Sequence, residues 1–119
     1  MINLINFAAR MTSDEIQRWE QDGYFLREDV FSPEENDDLR QVAEDIAVGK
    51  RKMPMAHIDR NARVRDGKDT RSGIYGMHKI QFPSCYIPEF LARVRDPRLT
   101  EPLVDLLGPD ILGINNLFI

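Results

Sequence analysis

The sequence predicts an α+β fold in which helices outnumber strands. Two segments place apolar residues at helical spacing behind a capping residue, and three short apolar runs have the β-propensity of strands. The 119 residues are enough for one domain with a modest core. The predicted order is helix, strand, helix, loop, strand, two helices and a final strand.

The first helix is predicted to begin after Thr12. Thr12 followed three residues later by Glu15 is a capping-box pattern, and Gly23 supplies a C-terminal stop. The run YFLRED at 24–29 then favours a short strand, because two aromatic residues and a leucine open it.

The second helix carries the clearest signal. Ser32 is the predicted cap, Pro33 stands at the first helical position, Glu35 completes another capping box, and Gly49 ends the helix. Its apolar residues recur at helical spacing and predict one buried stripe, formed by Leu39, Val42, Ala43 and Ile46.

Residues 50–76 are polar, basic and without a sustained period, which predicts a loop that is either functional or mobile. Residues 50–71 hold 8 basic and 3 acidic side chains. This charge is typical of a solvated loop or of one that closes over a negatively charged substrate. No aromatic residues alternate with the charges, so nucleic acid is not the expected partner.

The remaining elements are a strand, two helices and a strand. YGMHKIQF at 75–82 is predicted to be extended, and a helix follows from about Pro88. The next helix is expected to start near Thr100, because Pro102 deeper inside would remove a backbone hydrogen bond. The apolar run at 110–119 predicts the final strand.

Composition excludes several classes of protein. No window approaches the roughly 18 apolar residues of a membrane span, and the opening residues lack the basic and apolar regions of a signal peptide. Cys85 is the single cysteine, so an internal disulfide is excluded. The expectation is a cytoplasmic protein with neither a membrane nor a nucleic-acid partner.

Two groups of residues invite a chemical interpretation. His57 and Asp59 have the H-x-D spacing of a non-haem iron site, and His78 is a formal third ligand. The surrounding segment shows no strand pattern that would hold ligands rigidly, so an incidental surface motif is the favoured interpretation. Lys79, inside a predicted strand, suggests an ammonium that meets an anion; the alternative is an edge-strand lysine whose stem reaches water.

Three stretches together resemble the phytanoyl-CoA dioxygenase family. They are MTSDEIQRWEQDGYFLREDVFSPEENDDLR at 11–40, MHKIQF at 77–82 and DPRLTEPLVDLLGPDILGINNLFI at 96–119. The resemblance implies a non-haem Fe(II)- and 2-oxoglutarate-dependent dioxygenase built on a double-stranded β-helix, of the jelly-roll or cupin type. Residues 1–119 would be the N-terminal part of one such truncated domain, with 50–76 as a mobile loop.

The resemblance also implies roles for single residues. Lys79 matches a lysine that contacts 2-oxoglutarate in some relatives, and Leu117 falls where relatives place an apolar residue against the same co-substrate. The family's iron ligands follow the strand that resembles 111–119, so none is carried over, and His57-x-Asp59 lies too early to be that motif.

The 119-residue chain is therefore expected to be inactive without the C-terminal β-helix. With it, the protein would hydroxylate a small organic substrate while 2-oxoglutarate is decarboxylated to succinate.

Two other hypotheses remain open from the residues alone. One is a non-enzymatic helical binding module that docks on a partner through its exposed C-terminal strand. The other is an independent iron site formed by His57, Asp59 and His78.

Overall fold

The computed structural model describes residues 10–119, and residues 1–9, which the domain prediction includes, lie outside them. The described residues form two compact units, 10–32 with Val94–Leu112, and Pro33–Arg93 with Gly113–Ile119. In chain order the helices are α1 (Ser13–Asp22), α2 (Pro33–Ala47), α3 (Ala62–Arg65), α4 (Pro88–Val94) and α5 (Pro97–Leu107), and the strands are β1 (Ile58–Arg60), β2 (Met77–Gln81) and β3 (Leu117–Phe118). None of these helices is both long and apolar enough to cross a membrane.

The first unit begins with α1, whose predicted ends are confirmed. The Thr12 hydroxyl accepts a hydrogen bond from the backbone N–H of Glu15 at 3.2 Å. Gly23 adopts a left-handed conformation with φ of 79°, and its N–H donates to the Trp19 carbonyl at 2.9 Å. Both ends therefore follow from local capping chemistry.

The strand predicted for residues 24–29 is wrong. These residues are irregular, and no described residue pairs with them as a neighbouring strand. Leu26 is 80% exposed, and Arg27 instead donates a hydrogen bond to the Glu15 carboxylate at 2.6 Å. High β-propensity without a partner strand does not form a strand.

Helix α5 starts three residues earlier than the sequence predicts. Asp96 caps it by accepting a hydrogen bond from the Arg98 N–H at 2.9 Å, and Pro97 takes the first helical position. Pro102 therefore lies inside the helix, where it is buried. The cap formed by Asp96 and the burial of the Pro102 ring outweigh the loss of one backbone hydrogen bond.

The second unit is organised around the apolar stripe of α2. Ile46 and Ile80 are almost completely inaccessible to solvent, at 1% and 0% exposure. Leu39 and Val42 pack against this core from α2, which confirms the predicted stripe. The buried cluster consists of Ala43, Ile46, Met53, Ile80, Ile87 and Phe90.

The three strands form one antiparallel sheet in the order β1-β2-β3. Strand β1 and helix α3 lie within residues 50–76, so the prediction of a loop without regular structure there is wrong. Strand β1 forms by pairing with β2, for example Ile58 with Ile80, and this pairing cannot be seen in the sequence of β1 alone. A three-residue strand is specified by its partner rather than by its own pattern.

An irregularity interrupts the pairing of β1 and β2. Asp59 pairs with Lys79, but Arg60 pairs with Met77, so one extra residue of β2 lies between the two pairs. Such a bulge redirects side chains. It explains why Met77 packs against the core although it stands two residues before Lys79.

Helix α2 is tied to the turn that precedes β2. The Glu44 carboxylate accepts a hydrogen bond from the Ile74 N–H at 2.8 Å. Gly73 has a φ of 60°, and the space that a side chain there would fill is occupied by the Glu44 carboxylate. The turn therefore takes a glycine for both conformational and steric reasons.

The final strand is shorter than predicted, because only Leu117–Phe118 of the run 110–119 is β-structure. Asn116 attaches it to the turn after β2 through both groups of its side-chain amide. Its oxygen accepts from the Ser84 N–H at 3.0 Å, and its nitrogen donates to the Ser84 hydroxyl at 2.6 Å. The Asn116 carbonyl also accepts from the Phe82 N–H at 2.9 Å.

Candidate functional site

The two faces of the sheet carry different chemistry. Residues paired across an antiparallel ladder share a face, and alternate residues of a strand return to the same face. Asp59 pairs with Lys79 and Gln81 pairs with Leu117, so these four residues lie on one face, which we call the open face. The opposite face carries Ile58, Ile80 and Phe118 and contacts the core.

The structure thus brings together the two residues predicted to contact a co-substrate. Lys79 and Leu117 lie on the open face, on neighbouring strands, separated along β2 by the step from Lys79 to Gln81. Lys79 is half-buried, whereas Leu117 is 46% exposed. A charged group and an apolar group are therefore presented side by side on one surface.

Lys79 has no partner for its charge among residues 10–119. It makes no ion pair and no side-chain hydrogen bond with any of them, although Asp59 is its cross-strand neighbour. A half-buried ammonium is stabilised by an anion at hydrogen-bonding distance. The open face is therefore suited to an external carboxylate, with Leu117 positioned to contact an apolar part of the same ligand.

The three residues of the iron hypothesis do not converge. Asp59 lies on the open face, whereas His78 is the extra residue of the irregularity in β2 and is exposed. The His57 ring nitrogen Nε2 is 3.3 Å from the Tyr86 hydroxyl, and its ring also contacts Phe82 at a centroid distance of 5.7 Å. Within residues 10–119, no three His, Cys, Asp or Glu side chains are grouped to hold a metal ion.

A cleft lies along the free edge of β1, and the sequence analysis did not predict it. Its volume is about 710 Å³. It is bounded by the end of α2, by the segment before β1, by β1 and by α3. The lining residues are Ile46, Ala47, Val48, Gly49, Arg51, Lys52, Met53, Met55, Ile58, Asp59, Arg60, Val64 and Arg65. The one sequence signal for this cleft is the mixture of basic and apolar residues at 50–65, of which only the basic charge entered the prediction.

The four cations of this cleft are held differently. Arg51 donates two hydrogen bonds to the Glu89 carboxylate, at 2.9 and 2.8 Å, and these bonds lower the pKa of Glu89 below its ordinary value of 4.5. Arg60 donates to the Ala47 carbonyl at 3.1 Å. Arg65 lies 3.9 Å from Asp66, and Lys52 has no ion pair within the described part of the chain. Arg51 is thus neutralised, Arg65 has one long ion pair, and Lys52 and Arg60 form no ion pair with the described residues.

The outer edge of β3 is unpaired within residues 10–119. The sheet ends at β3, and the apolar side chains around it are exposed, with Ile114 at 84% and Ile119 at 86%. An edge of this kind can accept a further strand.

The chain matches no model of a known protein family, no curated protein and no solved structure.

Proposed function

We propose that this chain contributes the co-substrate-binding part of a non-haem Fe(II)- and 2-oxoglutarate-dependent dioxygenase. Its sheet would then belong to a larger double-stranded β-helix that hydroxylates a small organic substrate. The observation that carries the proposal is the placement of Lys79 and Leu117 on one face of one sheet. The sequence resemblance assigned both residues to 2-oxoglutarate.

The chemistry of the open face suits this co-substrate. 2-Oxoglutarate carries a carboxylate at each end of a short carbon chain. The Lys79 ammonium would bind the carboxylate remote from the keto group, and Leu117 would pack against the methylene groups.

Iron does not fit the described residues. A facial triad combines two imidazoles with one carboxylate, and His57, Asp59 and His78 lie apart. In this proposal iron is held by residues outside 10–119, and the role of the described chain is restricted to binding and orienting 2-oxoglutarate. Bound iron would activate dioxygen, which would serve as the oxidant.

The proposal is tested by the kinetics of the intact gene product loaded with Fe(II). Lys79→Ala should raise the KM for 2-oxoglutarate about tenfold or more, because a charge-assisted hydrogen bond is lost. Lys68→Ala is the matched control, since Lys68 is exposed and lies outside the sheet. An intact product without 2-oxoglutarate turnover would refute the function, and an unchanged KM would refute the assignment of Lys79.

A second candidate function rests on the free edge of β3. The chain would act as a non-enzymatic binding module that accepts a strand from a partner protein. Hydrogen exchange of the Leu117 and Ile119 amides, which point away from β2, separates the two candidates. In the intact product alone, the oxygenase proposal expects protection, whereas the binding module expects protection only after the partner is added.

A further inference from the structure

We infer that the cleft beside β1 is a binding site for an organic anion with an apolar body, and we assign it to an aliphatic carboxylate. This inference goes beyond the proposed oxygenase function and does not depend on it. The cleft and the open face have Asp59 in common, whereas Lys79 and Leu117 take no part in the cleft.

The size and floor of the cleft suit the apolar body. A volume of about 710 Å³ falls within the range of small-molecule sites. Ile46, Ala47 and Met53 are buried core residues that reach its floor, and Ile58 and Val64 extend the apolar surface. Met55 at the border is 83% exposed, and its flexible thioether can adjust to a bound chain.

The charges around the cleft suit the anionic head. Lys52 and Arg60 form no ion pair with the described residues, Arg65 has only a long, exposed one with Asp66, and Asp59 is the single carboxylate among the lining residues. Arg60 is the best placed, because its hydrogen bond to the Ala47 carbonyl fixes the guanidinium and leaves other N–H donors for a ligand. A carboxylate accepts two parallel hydrogen bonds from such a group.

The same features argue against other ligands. A cation would be repelled by Lys52, Arg60 and Arg65, and a neutral lipid would leave the Lys52 ammonium without an ion-pair partner. Single-stranded nucleic acid binds through bases stacked on aromatic side chains. No aromatic residue lines the cleft. The combination of apolar floor and cationic border is complementary to a monoanion attached to a hydrocarbon chain.

The test compares three ligands that differ only in their head group. Octanoate, octan-1-ol and octylammonium are titrated into the purified chain, and binding is measured by calorimetry. We expect octanoate to bind with one-to-one stoichiometry and the two other ligands at least tenfold more weakly. The affinity of octanoate should fall as salt is added, because part of the attraction is between exposed charges.

Variants then locate the site. Lys52→Gln combined with Arg65→Gln should weaken octanoate about fivefold to tenfold, since each exposed charge contributes modestly. Met55→Glu should abolish binding, because it places a carboxylate at the border without disturbing the core. Arg63→Gln is the matched control: Arg63 is exposed on α3, two residues before Arg65, and does not line the cleft.

Three results would overturn the inference. The first is no octanoate binding at all, and the second is octan-1-ol binding as tightly as octanoate, which would indicate apolar adhesion. The third is an equal loss of affinity for Arg63→Gln and the double variant, which would indicate attraction to the overall basic segment. Retained circular dichroism and retained cooperative unfolding show that each variant is folded, so a loss of binding reports on the site.

Discussion

The two faces of the three-stranded sheet are built from the same strands and yet obey different rules. On the core face, Ile80 is completely buried against Ile46 of α2, and Phe90 and Phe118 meet edge to face at a centroid distance of 5.9 Å. On the open face, Lys79 and Asp59 are half-buried cross-strand neighbours whose charged groups form no ion pair with each other. The core face stabilises the unit through apolar packing, and the open face presents polar groups that form no ion pair with each other.

The difference between the two faces shows which residues of this unit contribute most to its stability. Apolar burial contributes free energy in proportion to area, so the core face selects apolar residues by shape and size. A half-buried charge contributes little to folding unless it is paired. Substitutions on the two faces should therefore have unequal effects on stability.

Ile80→Ala should give the largest loss of stability. Deletion of a completely buried side chain should lower the free energy of unfolding by about 2–4 kcal/mol, measured by urea denaturation. His78→Ala, two residues earlier on the same strand and exposed, should stay within about 0.5 kcal/mol of the parent. Equal effects of the two substitutions would remove the distinction between a packed and an exposed position.

Asn116→Ala should have the next largest effect. It removes both side-chain hydrogen bonds to Ser84, and a loss of about 1–2 kcal/mol is expected because the Ser84 N–H is left without its acceptor. Asn115→Ala is the control, since Asn115 is exposed and makes no such bonds. Hydrogen exchange of β3 should accelerate in the first variant only, and faster exchange in both would assign β3 a different attachment.

Lys79→Ala should leave the stability of the chain within about 0.5 kcal/mol of the parent, because no described partner is lost. Urea denaturation of the ligand-free chain provides the measurement. A loss as large as that of Ile80→Ala would mean that Lys79 is a structural residue, and the contrast between the two faces would fail.

The smallest effect is expected for the ion pair at the margin of the core, between Arg51 and Glu89. The hydrogen bond from Arg51 lowers the pKa of Glu89, so its contribution to stability is present above 4.5 and is lost as the pH falls through the lowered value. Glu89→Gln should thus be less stable than the parent at neutral pH, and the difference should vanish in acid. The exposed Glu34→Gln serves as control, and a difference that persists in acid would refute the assignment to ionisation.

The sequence was informative wherever a structure depends on neighbouring residues. The cap formed by Thr12, the left-handed Gly23 and the stripe of α2 all follow from local spacing, and all are present. Strand β1 could not be predicted, because Ile58 becomes part of a strand only through its pairing with Ile80. The run at 24–29 shows the converse case, since its β-propensity finds no partner.

The candidate sites divide in the same way. The strand that carries Lys79 was predictable, but its position opposite Asp59 depends on register, which a short irregular strand does not specify. The cleft depends on α2, β1 and α3 meeting in space, so its cations were recognised only as a basic segment. The sequence therefore singled out Lys79 and Leu117 but did not predict that they share a face, and it did not predict the cleft.

The contact between Glu44 and Gly73 has a consequence for how this protein can vary. A methyl group at position 73 would displace the end of the Glu44 side chain and would stand at a positive φ, and shortening that glutamate alone would leave the Ile74 N–H without its acceptor. Shortening Glu44 would not relieve the positive φ at position 73, so a glycine should be kept there whatever residue stands at position 44. In a collection of related sequences, the glycine of this turn should then vary less than the glutamate of the helix.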